Sequence, residues 1–278
     1  MPSNLAEGAI GPLLPPRPLL VVAGFFAFPF VLSVATSFEA EGELGLANYI
    51  KAFEFYSRDI VFTVVIVALS VGLIAVASTL IAGILTLGEN RVVVAVLRSL
   101  YRWPLFIPFI VAAQLMRTFL AKNGMMNNIL MSADIITPLQ ATSLLDWRGI
   151  VITFVWKQTP FVTLLLAGAM ASLDRATIDA ARNLGAGRPR ILLEIVLPQV
   201  LPTLMVGLIL SVVTIMSVLS VPLMINAHSP TMMTVDIAFR INSYGDYGVA
   251  NALGVISYLI VGVTSWIYLR QQMRAADR

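Results

Sequence analysis

The sequence predicts an all-α, polytopic membrane protein with six transmembrane helices. Its 278 residues are 58% hydrophobic and only 12% charged, and their mean hydropathy is +0.88. Soluble domains average about 45–50% apolar and about 25% charged residues. A water-soluble chain of this composition would expose more apolar surface than it could cover, so the excess is expected to face lipid. We therefore expect a single transmembrane domain over residues 1–278.

Stretches without charged residues locate the helices, because a spanning helix needs about 20 apolar residues. The predicted spans are about 18–38, 60–87, 102–121, 149–172, 200–225 and 248–269. The third and fourth are each interrupted by one cation, Arg117 and Lys157 respectively. Pro198 and Pro202 suit the first turn of the fifth span, which places its start near residue 200. The first apolar run has no clean small-residue cleavage site after it, so we expect it to be retained as a span.

The basic residues divide unequally between the two sides of this six-span arrangement. One side holds Arg17, Arg91, Arg98, Arg102, Arg175, Arg182, Arg188, Arg190, Arg270, Arg274 and Arg278. The other side holds Lys51, Arg58, Lys122, Arg148 and Arg240. Lys and Arg concentrate in cytoplasmic loops, so the richer side, which includes both termini, is expected to be cytoplasmic.

The cytoplasmic loop between the fourth and fifth spans, residues 173–199, has the most specific pattern in the chain. Asp174 can cap a short helix at its start, and Gly185 can end that helix in the left-handed conformation. The apolar residues of this helix recur every three positions and are expected to share one face: Ile178, Ala181 and Leu184.

The same loop resembles the EAA loop of permease subunits from binding-protein-dependent ABC importers of the maltose and polyamine type. Asp179-Ala180-Ala181, Gly185-Ala186 and Ile195-Val196-Leu197-Pro198 stand at that family's spacings. The family has Glu where this chain has Asp179, which keeps the charge and shortens the reach of the side chain. The resemblance extends to segments 45–50, 102–108, 123–128, 156–161 and 245–253.

This resemblance implies a type I importer permease in a bacterial inner membrane, with the loop forming a coupling helix on a cytosolic ABC ATPase dimer. The ATPase-coupling residues implied are Asp179, Ala180, Ala181, Arg182, Gly185, Ala186, Leu197 and Pro198. The other implied partners are a second permease subunit, homologous or identical, an extracytoplasmic solute-binding protein and membrane lipid. Nucleic acid is not expected.

The chain is not expected to hydrolyse ATP itself. Its three lysines, Lys51, Lys122 and Lys157, follow Ile, Ala and Trp, so no Gly-Lys-Ser/Thr phosphate loop exists. We expect no catalytic residue, cofactor or metal in this chain, and the resemblance assigns ATP and Mg²⁺ to the partner ATPase.

Polar residues inside the predicted spans are candidates for the solute path. Lys157 lies nine residues from Arg148, or about 14 Å into the membrane, where a charge costs at least about 2.5 kcal/mol unless it meets water or a partner. It either lines a cavity or extends outward beside Trp156. The candidate path residues are Gln114, Lys157, Gln158, Ser211, Thr214 and Ser217, of which the last three recur at three-residue spacing. Hydrogen bonding between helices is the alternative role for these hydroxyls.

A secondary transporter or channel is the alternative function. Proton coupling usually uses an intramembrane acid or His, and the predicted spans contain no Asp or Glu. The solute is not determined by the sequence. The segment after the fifth span resembles the polyamine, iron and phosphonate branch rather than the sugar branch, whereas two cations without an anion in the spans suit a neutral or anionic solute.

Overall fold

The computed structural model describes residues 21, 23–40 and 42–276, and this part of the chain is mostly helical. In chain order it contains a π-helical turn Ala23–Ala27, α1 (Phe28–Phe38), β1 (Glu39–Ala40), β2 (Glu43–Leu44), α2 (Ala47–Leu87), α3 (Arg91–Leu100), a 3₁₀ turn Trp103–Phe106, α4 (Phe109–Leu120), α5 (Met125–Ser132), α6 (Trp147–Ala171), α7 (Arg175–Asn183), α8 (Arg188–Ser217), α9 (Ser220–Ile225), α10 (Met233–Phe239), a π-helical turn Arg240–Tyr244 and α11 (Tyr247–Ala276). The two short strands pair antiparallel, with Glu39 opposite Leu44.

Four of the described helices are long and apolar enough to cross a membrane: α2, α6, α8 and α11. They contain all or most of four predicted spans, 60–87, 149–172, 200–225 and 248–269. The predicted span 18–38 begins outside the described residues, and its described part is the turn at Ala23 followed by α1. The count of six spans therefore stays a prediction.

The third predicted span, 102–121, is not one straight helix. The segment Arg91–Phe106 meets the segment Phe109–Ser132 at an angle of 110°. Pro104 and Pro108 stand at the break, where each lacks the N–H that a continuous helix would need. The 12 residues of α4 cover about 18 Å, which is short of the roughly 30 Å hydrocarbon core of a bilayer. The bent pair as a whole is the candidate for a fifth span.

Helix α2 is longer than predicted because it begins at Ala47 rather than near residue 60. Its 41 residues extend about 62 Å, twice the thickness of the hydrocarbon core. The segment that the sequence indicated as an outer loop is therefore largely a helical extension of the second span.

Helix α8 begins at Arg188 rather than near residue 200, and it is continuous to Ser217. Pro198 and Pro202 lie inside this helix instead of in its first turn. The helix widens into a π-helical turn over Ile191–Val196, immediately before Pro198. That turn replaces the regular hydrogen-bond ladder at the place where a proline would interrupt it.

Helix α6 is the most enclosed of the four long helices and lies at the centre of the packing. It packs along α2, α8 and α4, while α11 packs against α1 and α2. Phe154 and Leu166 on α6, Ile66 and Ile74 on α2 and Ile215 on α8 are fully buried in one cluster. This arrangement places the loop containing α7 at the end of the central helix.

Candidate functional site

The loop between α6 and α8 contains a short helix that is capped at both ends. The Asp174 carboxylate accepts the backbone N–H two residues further on at 2.9 Å. At the other end Gly185 has φ 81°, and its N–H donates to the Arg182 carbonyl at 2.9 Å. The Ala186 N–H donates to the Ala181 carbonyl at 3.0 Å. These two bonds across a left-handed glycine form a Schellman motif, so both caps predicted from the sequence are confirmed.

Helix α7 is held to the rest of the protein by a narrow face. Ile178 is buried, and Ala181 and Ala186 pack against the main core. Leu184 was expected on the same face, but it is 89% exposed because the helix ends at Asn183 and the chain turns away. The remaining side chains of α7 are exposed, so the helix presents a surface that another protein could cover.

The eight predicted coupling residues lie in two places. Six of them, from Asp179 to Ala186, lie in α7 and its C-terminal cap. Leu197 and Pro198 lie on α8 beyond the π-helical turn, the first half-buried and the second exposed. Asp179 and Arg182 form an ion pair at 3.6 Å with 64% and 40% of their side chains exposed. A pair this exposed contributes at most about 1 kcal/mol to stability.

The start of α8 is attached to the C-terminal end of α2 by contacts that the sequence did not indicate. Arg188 forms an ion pair with Glu89 in the link between α2 and α3. Gly83 on α2 faces Leu192 on α8. A Cβ on Gly83 would lie 2.6 Å from Leu192 Cδ2, so the absence of a side chain at this glycine lets the two helices lie close together. A lone acidic residue in a short link has no local pattern that would identify its partner.

Lys157 is buried in the middle of α6, with only 7% of its surface exposed. Its Nζ lies 4.9 Å from the centre of the Phe109 ring on α4. The part of the chain that the structure describes gives it no carboxylate or hydrogen-bond partner. Its neighbour Gln158 is also buried, whereas Gln114 on α4 is exposed. Lys157 therefore points inward, and the outward position beside Trp156 is not the one observed.

The three hydroxyl residues of α8 do not share one face. Ser211 is fully buried, Thr214 is half-buried and Ser217 is exposed. Each hydroxyl donates to the carbonyl four residues earlier, at 2.8, 2.7 and 2.7 Å respectively. Residues three apart on a helix drift by about 60° per step, which explains why the first and last of the three diverge.

A hydrogen-bonded clasp joins α2 to the segment before α10. Asp59 Oδ1 accepts the backbone N–H of Thr231 at 2.7 Å and the Ser229 hydroxyl at 3.4 Å. One turn along α2, the Thr63 hydroxyl accepts the backbone N–H of Met233 at 2.9 Å. The sequence placed Asp59 in the loop before the second predicted span and Thr63 inside that span, and it indicated no contact of either with residues 231–233.

Asp236 lies close to this clasp, and only 9% of its surface is exposed. Its Oδ2 has no hydrogen-bond partner among the described residues. Burial and, to a smaller extent, the negative charge of Asp59 raise the pKa of the Asp236 carboxyl, Arg240 lowers it, and the net pKa is about 7. The Arg240 guanidinium donates instead to the Tyr56 hydroxyl and to Asp246. Asp236 thus titrates near neutrality.

A family model described as "Binding-protein-dependent transport system inner membrane component" matches residues 58–276. This match begins within α2 and covers every described helix after it. It includes the clasp, Lys157 and the whole of the loop that contains α7.

Relatives and solved structures show the same similarity over most of the chain. The trehalose/maltose transport system permease protein of Thermococcus litoralis is 27% identical over 82% of this chain and 79% of its own length. The spermidine/putrescine transport system permease protein of Salmonella typhimurium is 22% identical over 88% of each chain. A chain of a bacterial alginate ABC transporter, crystallised with an alginate pentasaccharide-bound periplasmic protein, superposes with a TM-score of 0.79 at 19% identity, covering 93% of this chain and 92% of that one.

Proposed function

Because the chain belongs to the family of inner membrane components of binding-protein-dependent transport systems, we propose that it forms the translocation path of an ATP-driven importer. It is a multi-pass membrane protein whose long apolar helices enclose α6. In this proposal the chain hydrolyses no ATP, and the energy comes from a cytosolic ATPase dimer that carries ATP and Mg²⁺. A second permease, identical or homologous, completes the path.

The observation that supports coupling to the ATPase best is the combination of fixed ends and an exposed surface in α7. Asp174 and the Gly185 turn hold the helix at both ends, while Leu184 is 89% exposed beside that turn. An exposed aliphatic side chain beside a helix with fixed ends could insert into a pocket of a partner protein. The small side chain of Ala180 is also exposed and would allow close approach.

Movement of α7 would reach the membrane through two connections. Ile178 and Ala181 insert into the core at the end of α6. Arg188 begins α8 and is paired with Glu89 at the end of α2. Closure of the ATPase dimer would therefore shift α6, α2 and α8 together and change which side of the membrane the path faces.

Lys157 is the path residue with the strongest support. A buried, unpaired cation at this depth is stable only if water, solute or a second subunit reaches it. Gln158 is buried beside it, and Ser211 is buried on α8. We place these three in or next to the path, and Gln114, Thr214 and Ser217, which are less buried, at positions where the second permease or solute could contact them.

The solute is proposed to be a sugar or a small polar compound of the polyamine and phosphonate type. Support comes from the relatives, whose names include trehalose/maltose and spermidine/putrescine transport. The similar alginate transporter was crystallised with a periplasmic protein, which supports delivery by an extracytoplasmic binding protein.

The proposal is tested by transport in proteoliposomes that contain this chain, its co-purifying permease and ATPase, and the binding protein outside. The solute is first identified from the purified binding protein by mass spectrometry. We expect uptake to require ATP inside the vesicles and to stop with vanadate. Uptake without ATP would instead establish the alternative function. Uptake down the solute's own gradient would indicate a channel, and uptake driven by an ion gradient would indicate a secondary transporter.

A further inference from the structure

A cavity of about 490 Å³ lies where α6 meets α7, bounded on its other sides by the end of α2 and by α3 with the link after it. Four arginines line it: Arg98, Arg102, Arg175 and Arg182. They come from separate segments, on α3, on the link after it and on α7. Their convergence is therefore a product of the fold and not of a local run of basic sequence.

The described residues do not neutralise the positive charge of this cavity. Among them, the only acidic residue in its lining is Asp179, which is paired with Arg182. The Arg102 Nε donates to the Tyr101 hydroxyl at 3.1 Å, an uncharged partner. Neither Arg98 nor Arg175 forms an ion pair or hydrogen bond within residues 21, 23–40 and 42–276. At least two guanidinium groups are thus free to bind an anion.

Part of the lining of this cavity is apolar and consists of small or aliphatic residues. It is formed by Leu164, Ala167, Gly168 and Ala171 along the last two turns of α6. Outside the backbone of α6 itself, no described atom lies within 4 Å of the position that a Cβ on Gly168 would take. Arginines and an apolar surface in one cavity at the end of a spanning helix match the two parts of an anionic lipid, its phosphate and its acyl chain.

We propose that this cavity binds an anionic phospholipid, with Arg98 and Arg175 contacting the phosphate and the α6 wall contacting the acyl chain. This assignment does not depend on which solute is transported. Basic pockets between membrane helices hold anionic headgroups because guanidinium groups match phosphate oxygens in charge and geometry. The lipid would lie between α7 and the membrane helices that α7 is proposed to move.

The test uses the full chain purified in detergent and titrated with phosphatidylglycerol or phosphatidylcholine, with bound lipid counted by native mass spectrometry. We expect phosphatidylglycerol to bind more tightly than phosphatidylcholine. The double variant R98Q/R175Q should lose about 25-fold in phosphatidylglycerol affinity, about fivefold per arginine. The variant R58Q, which removes an exposed arginine at the other end of the protein, is the matched control and should keep the preference.

Three results would overturn the proposal: equal binding of the two lipids, a preference unchanged in R98Q/R175Q, or the same loss in R58Q. The variant R98K/R175K keeps both charges and should restore most of the preference, which distinguishes loss of the site from loss of the fold. A competition experiment with excess inorganic phosphate distinguishes a site for a lipid headgroup from a site for free phosphate. If phosphate alone binds with the same arginine dependence and displaces the lipid, the site is a free-anion site and the lipid assignment is wrong.

Discussion

The backbone N–H of Thr231 donates to Asp59 Oδ1 at 2.7 Å and joins positions 172 residues apart in the sequence. The bond fixes the segment before α10 against the N-terminal half of α2. It also places the negative charge of Asp59 near Asp236, whose pKa is raised to about 7 by burial and by that charge. The clasp is therefore a point at which pH acts on the folded protein.

We predict that the protein loses stability as pH rises from about 4 to about 7. The folded state keeps the proton of Asp236 up to about pH 7, whereas the unfolded chain releases it near the ordinary value of 3.8. The stabilising contribution is thus complete below pH 3.8 and lost above 7, because the folded state binds more protons between these limits. Thermal unfolding of the purified protein at several pH values measures this slope, and D236N should reduce it.

The exposed residue Asp134 provides the control for that measurement. It has φ 55°, a conformation that Asn tolerates, so D134N should leave both the fold and the pH slope unchanged. A slope of the same size in D236N and in the unmodified protein would show that Asp236 is not the group responsible.

We predict that G185V leaves the protein in the membrane but lowers solute uptake at least about tenfold. Gly185 has φ 81°, and a β-branched residue in this conformation costs about 1–2 kcal/mol, which would disrupt the turn that ends α7. Gly187 has φ −69° and accommodates an added side chain, so G187V is the matched control. Uptake and ATPase co-purification measure the effect, and normal values for both in G185V would contradict the coupling role of this turn.

We predict that K157M stabilises the protein while it lowers uptake. A charge in the membrane interior costs at least about 2.5 kcal/mol, and the contact with Phe109 returns only about 0.5–2 kcal/mol. Removing the charge should therefore raise the midpoint of thermal unfolding. Uptake should fall at least about tenfold if solute meets Lys157 in the path, as judged by the change in kcat/KM.

The variant R117M is the control for Lys157, because Arg117 is also a cation in a predicted span but is exposed. It should change neither the unfolding midpoint nor uptake. If K157M raises the midpoint of thermal unfolding and leaves uptake kinetics unchanged, Lys157 does not contact the solute. Its partner would then be another subunit or water.

We predict that the Glu89–Arg188 ion pair matters for transport more than for stability. The side chains are 69% and 51% exposed, so breaking the pair should cost less than about 1 kcal/mol. If the pair transmits movement from α8 to α2, E89R and R188E should each lower uptake severalfold, and the double reversal should restore it. The neighbouring pair of Arg190 and Glu194 lies within α8, so E194Q should have little effect. Equal uptake in all four variants would exclude the transmission role.

The features that sequence analysis predicted well are those with short-range causes. Asp174 and Gly185 act on backbone groups within five positions, and both caps of α7 are present as expected. The long apolar stretches also became long helices, because composition alone decides whether a helix can contact lipid.

The features that sequence analysis missed depend on contacts between distant segments. Pro104 and Pro108 lie within the predicted span 102–121, but the 110° angle there depends on how α3 and α4 pack. The partner of Asp59 and the convergence of Arg98 with Arg175 required the fold. Leu184 was placed on the wrong face because the helix period was extended one residue past its end at Asn183.

Because α8 is one continuous helix, a rotation at one of its ends would move its other end, on the opposite side of the membrane. Its 30 residues form a rod about 45 Å long. A rotation of about 10° about its Arg188 end would displace the other end by about 8 Å on this length. If α7 contacts an ATPase as proposed, modest motion there is geometrically sufficient to open or close a passage for a small solute. The π-helical turn at Ile191–Val196 is the part of the helix best suited to absorb bending.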